Sequence, residues 1–265
     1  MTVQHAIVAF MEDPDAIKPN PIHSTSVAQD YGFKGALIGG AIAYGWTVRT
    51  IVEALGMGWL DHGWAELKFI QPMYPGDELT AMVSDDGELS LRRGDALCMK
   101  GTVGVGDAPW LDELTRPLQK TPRERAETLP QLTLANAPVG QDLDARSIPL
   151  SRDEAEAYAR DKERETLDCF FGPQARIHPS WTAQQPIHWL HHSYDYGPSI
   201  HAGSRIQHHA AAYAGQTFTM AGRCVDAYER KGHHYIVNDT LLLGESGDCL
   251  SQVRHTSVFN VAKRR

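Results

Sequence analysis

Apolar and small residues crowd one stretch of the chain, Ala36 to Gly56 (ALIGGAIAYGWTVRTIVEALG), without keeping to one helical stripe. A helix that is apolar on all sides is normally buried, so this stretch predicts a helix enclosed by other elements. At this length a bilayer-crossing helix is the competing reading. Gly39, Gly40 and Gly45 interrupt the run, and Arg49 and Glu53 close it, which argues against a membrane span. Downstream, Ala65 to Ile70 alternates apolar and polar residues, the period of a half-buried strand. Glu78–Val83 and Glu88–Arg92 flank Asp85-Asp86-Gly87, a hairpin signal, and Ala96–Val105 predicts another strand. The pattern is a long buried helix followed by a meander of strands.

Residues 1–35 read as irregular, broken by Pro14, Pro19 and Pro21, with one short helix over Ser24–Tyr31. Residues 106–145 are rich in proline and predict a connection draped over the surface. Ser151–Leu167 predicts an exposed, charged helix opened by a capping box of Ser151 and Glu154. The first pattern then recurs. Trp181–Tyr196 predicts a second central helix interrupted by Pro186, and strands follow over Ser204–His209, Thr217–Glu229, Tyr235–Leu243 and Leu250–Val261. His62 precedes a run ending in Tyr74-Pro75-Gly76, as His201 precedes one ending in Tyr213-Ala214-Gly215, and Gly76 and Gly215 lie 139 positions apart. Matched order of elements at this spacing predicts an internal duplication. The expected division is an N-terminal unit over 1–125, a linker over 126–150 and a C-terminal unit over 151–265.

Asn20-Pro21-Ile22-His23, followed by Ala28, Gly32-Phe33-Lys34-Gly35 and Ile38-Gly39-Gly40, resembles the MaoC-like dehydratases and (R)-specific enoyl-CoA hydratases. Phe69 to Asp77 (FIQPMYPGD) resembles the same family's F-x-x-P-x-x-x-G-D strand and turn. The likeness covers about residues 17–105. It implies an α+β double hotdog: two long central helices, each wrapped by an antiparallel sheet, with the sheets joined within one chain. It implies a hydro-lyase acting on an enoyl or 3-hydroxyacyl thioester, such as an acyl-CoA. Two departures stand out. The family pattern Asp-x-Asn-Pro-x-His puts its aspartate where this chain has Lys18, and a family histidine before the helix glycine is replaced in Gly39-Gly40. The expected catalytic set is therefore His23, Asn20 and, as a stand-in carboxylate, Asp15. Gly35, Gly39, Gly40, Tyr44, His62 and His201 are the expected substrate-binding residues.

The remaining composition narrows the partners. The net charge of −8 disfavours nucleic acid and anionic membrane, and the basic end Lys263-Arg264-Arg265 reads as a solvated terminus. The four cysteines are dispersed and predict buried thiols in a reducing compartment, with the cytoplasm as default. His188, His191 and His192 share a helical spacing, but no HExxH or ligand-spaced carboxylate accompanies them, so no metal or cofactor is expected. The expected partner is a small-molecule substrate, and the expected assembly a homodimer. Competing functions are another elimination, isomerisation or cyclisation, or a non-catalytic acyl-binding subunit. A thioesterase is disfavoured because the only carboxylate on the first central helix, Glu53, is at its far end.

Overall fold

The computed structural model describes residues 2–16 and 18–263, so Arg264 and Arg265 of the basic end lie outside the described residues. The N-terminal half contains β1 (Val3–Val8), α1 (Thr25–Asp30), α2 (Gly40–Gly45), α3 (Val48–Leu55) and α4 (Trp59–His62). It continues with β2 (Gly63–Phe69), β3 (Glu78–Val83), β4 (Glu88–Arg93) and β5 (Ala96–Val105). The C-terminal half contains β6 (Arg146–Leu150), α5 (Arg152–Ala157), α6 (Pro179–Ser193), β7 (Ile200–His208), β8 (Gln216–Arg230), β9 (His233–Leu243) and β10 (Cys249–Asn260). All ten strands form one antiparallel sheet in the order β1-β3-β4-β5-β2-β7-β10-β9-β8-β6.

That order is a palindrome about the β2–β7 pair. Glu66 faces Arg205 at its centre, and Arg205 Nε donates to Glu66 Oε1 at 3.0 Å. The two residues are 139 positions apart, the spacing already visible in the sequence. The same offset carries local geometry: Ile38 N donates to Met73 O, and Ile177 N to Ala212 O, both at 2.9 Å. Two apolar clusters form the bulk of the core, the first drawn mostly from the N-terminal half and the second from the C-terminal half. One gathers Tyr44, Ile51, Trp59, Leu67 and Met99, the other Trp189, Phe218, Met220 and Ile236.

The first central helix differs from the continuous helix expected over Ala36–Gly56. It begins at Gly40 and breaks between α2 and α3, where Thr47 Oγ1 donates to the Tyr44 carbonyl at 2.7 Å. A side-chain hydroxyl that competes for a helix carbonyl disrupts the ladder locally. The second central helix runs unbroken through Pro186, which aligns with that same Thr47 at the 139-residue offset.

Two strands escaped the sequence reading. β1 lies in a segment expected to be irregular. Its inward positions include the polar His5, which bonds Thr50 Oγ1 at 3.0 Å, and its outward ones the apolar Ala6 and Val8, so its alternation is concealed. β6 occupies the end of the stretch expected as linker; Pro149 is accommodated there because β6 is an edge strand. Residues 106–145 form the expected connection, with only a 3-10 turn at Leu111–Glu113. The four cysteines are free thiols, Cys98 and Cys224 buried, Cys169 and Cys249 half-buried.

The expected exposed helix over Ser151–Leu167 is also shorter and less exposed than its charges imply. The capping box forms, with Ser151 N donating to Glu154 Oε2 at 2.9 Å and Glu154 N to Ser151 Oγ at 3.2 Å. After α5 the chain widens into a π turn over Tyr158–Lys162, and Arg164 adopts a left-handed φ of 51°. This turn drives Glu163 inward, 5% exposed, with Oε2 packed on the α-carbon of Gly45. A methyl group at Gly45 would overlap that oxygen. Gly45→Ala is therefore expected to lower stability by about 1–3 kcal/mol through overpacking, despite alanine's better helix propensity. A denaturation midpoint equal to that of the wild type would show that Glu163 is not seated there.

Candidate active site

One large cavity, of about 980 Å³, lies between the halves at the start of α2. Its walls include Lys18, His23, Gly39 and Phe69 from the first half, and Gln184, Ser199 and His201 from the second. Pro21, with φ fixed by its ring, opens a 3-10 turn over Pro21–His23 that delivers the imidazole to this wall.

The tautomer of His23 follows from its partners. Nδ1 contacts the Leu37 carbonyl at 2.6 Å; a carbonyl only accepts, so Nδ1 carries the proton and donates. Nε2 is then a lone pair, 3.3 Å from the Asn20 amide nitrogen. Burial holds the His23 pKa below its ordinary value against the raising effect of the Leu37 bond, and the Lys18 ammonium lowers it further. The ring is thus a neutral base whose unprotonated Nε2 accepts a long bond from the Asn20 amide. Cε1 and Nε2 lie 3.7 and 3.9 Å from where a Gly39 side chain would begin, so the base sits beside the helix start.

Asn20 ties the His23 loop to the second half. Its Nδ2 donates to Ser199 O at 2.8 Å, and Ser199 N donates back to Oδ1 at 3.1 Å. It is a clamp between the two halves that also holds His23. His201 approaches the helix start from the other side. A Gly40 side chain would begin 2.8 Å from His201 Cβ and Nδ1, so only glycine leaves room for this ring. His201 Nε2 pairs with Ser204 Oγ at 2.8 Å, and Ser204 Oγ with His255 Nδ1 at 3.2 Å. Burial, and secondarily His255, hold the His201 pKa well below the ordinary range, so it is neutral.

Of the residues expected from the sequence, His23, Asn20, Gly39, Gly40 and His201 converge on the cavity, and four do not. Asp15 is exposed and off the wall, because the loop between β1 and the 3-10 turn points it outward; Lys18 is the wall residue instead. Gly35 lies in the turn before the helix, away from the cavity, with nothing within 4 Å of its would-be side chain. Tyr44 is fully buried in the first core, where burial raises its pKa. His62 is exposed. It is the two-fold counterpart of His201, but the corresponding niche near Ile177, Pro179 and His208 holds only about 10 Å³. The fully buried Trp59 of α4 stands against His208, ring centres 5.4 Å apart. The two symmetry-related niches therefore differ: the one at the start of α2 is open and its counterpart is nearly filled.

The second half contributes what sequence reasoning overlooked: the clamp at Ser199 and the wall residue Gln184. Of Tyr194-Asp195-Tyr196, Asp195 and Tyr196 reach the wall, and Tyr196 stacks on His191 at 3.8 Å. His188 and His191 also line the cavity, whereas His192 Nε2 bonds the Arg123 carbonyl at 2.9 Å. Among the described residues no group of three or more His, Cys, Asp or Glu side chains could hold a metal ion. No helix among them is long and apolar enough to cross a membrane.

No protein-family model matches the chain, and no curated protein matches it by sequence. Solved structures do match. A MaoC-like dehydratase aligns over 91% of this chain and 89% of its own, with a TM-score of 0.56 and 15% identity. A conserved Mycobacterium tuberculosis protein with a double hotdog fold aligns over 89% and 86%, at 0.60 and 12%. A candidate oleoyl thioesterase from Lactobacillus plantarum aligns over 98% and 97%, at 0.52 and 10%. The chain is a double hotdog protein, similar in fold to MaoC-like dehydratases and to proteins described as thioesterases.

Proposed function

We propose that the chain is a lyase of the hydratase/dehydratase type, acting on an enoyl or 3-hydroxyacyl thioester such as an acyl-CoA. The observation that carries this reading is the neutral His23 in the wall of a large cavity beside the start of α2, its unprotonated Nε2 held only by a 3.3 Å contact from the Asn20 amide, which a substrate water can replace. In hydration, Nε2 takes a proton from water as the water oxygen bonds the β-carbon of the enoyl group. The π electrons move to the thioester oxygen as an enolate. Backbone N–H groups at a helix start lack intrahelical acceptors and can stabilise that charge. The imidazolium then returns its proton to the α-carbon, so one water has added across the double bond. Dehydration is the reverse. The four free thiols fit a cytoplasmic setting.

Lys18 shapes this chemistry. A carboxylate and a histidine can divide proton abstraction and delivery between them, but an ammonium cannot accept a proton. Lys18→Asp would complete the Asp-x-Asn-Pro-x-His pattern. It is expected to raise turnover about tenfold or more, by adding a second acid–base group. The test is conversion of crotonyl-CoA to 3-hydroxybutyryl-CoA, and the reverse, by wild type and variant. Activity in the wild type that rises in Lys18→Asp supports the reading. Inactivity of both proteins in both directions overturns it. The same lysine favours a second reading, another elimination, isomerisation or cyclisation, for which turnover of a non-enoyl substrate dependent on Lys18 is the evidence.

A further inference from the structure

Behind the cavity wall, between α5 and α6, lies a second polar cluster that the proposed chemistry does not use. It consists of Tyr158, Glu163, Glu165, His178, Ser180 and Gln184, and only Gln184 reaches the cavity. Its proton positions follow from hydrogen-bond bookkeeping. Glu165 accepts from the backbone N–H groups of Thr166 and Leu167 at 2.6 and 2.9 Å and faces His178 Nε2 at 3.4 Å. Burial opposes ionisation of Glu165, but these bonds outweigh it and lower its pKa. His178 Nε2 therefore carries the proton and donates. His178 Nδ1 must accept, since the Ser180 backbone N–H also points at it, at 3.4 Å.

Ser180 Oγ lies 2.7 Å from that Nδ1 and 2.6 Å from Glu163 Oε1. A hydroxyl has one proton for these two contacts. It goes to Nδ1, which has none, so the Glu163 carboxyl supplies the proton of the second contact and is neutral. Burial, which raises its pKa to about 8, agrees with that state. Tyr158 then donates toward Glu163 Oε1 or Ser180 Oγ, at 3.1 and 3.0 Å, and its lone pair accepts from Gln184 Nε2 at 2.7 Å. The chain of bonds has one direction, from Gln184 inward to the Glu165 carboxylate. It settles which way the Gln184 amide is turned: nitrogen to Tyr158, carbonyl oxygen free for the cavity.

We propose that Gln184 reads a hydrogen-bond donor on the substrate, the hydroxyl of a 3-hydroxyacyl thioester, with Tyr158 as the positioning residue that orients its amide. This rests on the thioester reading above and adds the feature by which the site prefers the hydroxylated form. Tyr158 spends its one proton on Glu163 or Ser180, which leaves the phenolic lone pair to Gln184.

The test compares dissociation constants for 3-hydroxybutyryl-CoA and butyryl-CoA in a His23→Ala background, chosen so that the hydroxylated ligand is not consumed. The reference protein is expected to favour the hydroxylated ligand about five- to tenfold, the effect of one net hydrogen bond. Gln184→Met is expected to bring that ratio close to one, with a melting midpoint close to that of the reference protein reporting that it is folded. Tyr158→Phe is expected to lower the ratio partway with the same control. A ratio unmoved by Gln184→Met, or a reference protein that binds the two ligands equally, overturns the assignment and leaves the thioester reading standing. A reference protein that binds neither ligand overturns both.

Discussion

His23→Ala is expected to cut turnover of crotonyl-CoA by about 10²- to 10⁴-fold, the usual worth of a positioned general base. The loss is expected in kcat, with KM changed little, because the ring contributes a proton acceptor rather than most of the contact surface. The wild-type rate profile adds a second reading of the same residue. Burial and Lys18 hold the imidazole pKa below its ordinary 6.5. The acid limb of kcat is therefore expected to fall below pH 6.5, and to move up in Lys18→Asp, where a carboxylate replaces the repelling ammonium. An alanine variant with wild-type kcat would remove the base from the mechanism. An acid limb at or above the free value would mean that the ring is not desolvated as the structure has it.

The second large effect concerns stability. Glu163 titrates near 8 in the folded protein and near 4.5 when free. A carboxyl with a raised folded pKa contributes its full stability below the free value, and loses it as pH climbs towards the folded one. The contribution of Glu163 to wild-type stability is thus expected to decline between about pH 5 and pH 8, because the unfolded chain releases this proton and the folded one retains it. Glu163→Gln keeps a neutral side chain that can donate to Ser180 and accept from Tyr158, without the proton linkage. It is expected to gain about 2–4 kcal/mol over the wild type near pH 8, and little or nothing near pH 4.5. Chemical denaturation of both proteins across this range isolates the effect, since every other titrating group is common to them. Parallel pH dependences would mean that Glu163 is ionised in the folded state.

Both effects depend on groups that are unevenly legible in the chain. His23 stands in a local motif: Pro21 sets the turn and two residues later the imidazole is in place, so four consecutive residues carried the information. Glu163 lies in a run of charges, RDKERE, that reads as a solvated helix. Nothing local distinguishes it from Glu156 or Glu165. Its burial follows from a π turn and from the bare α-carbon of Gly45, which lies 118 positions earlier. Asp15 failed for the converse reason. Proximity in sequence to the motif put it forward as a stand-in carboxylate, but the loop carries it out to solvent and Lys18 in to the wall. His62 and His201 are equivalent in sequence and opposite in fate: His62 is exposed, whereas His201 is buried against the bare α-carbon of Gly40.

The sequence by itself determined the repeating order of helix and strands, the 139-residue offset between halves, and the placement of His23 and the helix glycines, since each depends on residues a few positions apart. Only the tertiary structure decided that a large cavity opens at the start of α2, that Asn20 clamps Ser199, and that Glu163 is buried and neutral. These depend on contacts across the β2–β7 junction and between the central helices. Such contacts join residues more than a hundred positions apart, beyond the reach of any local pattern.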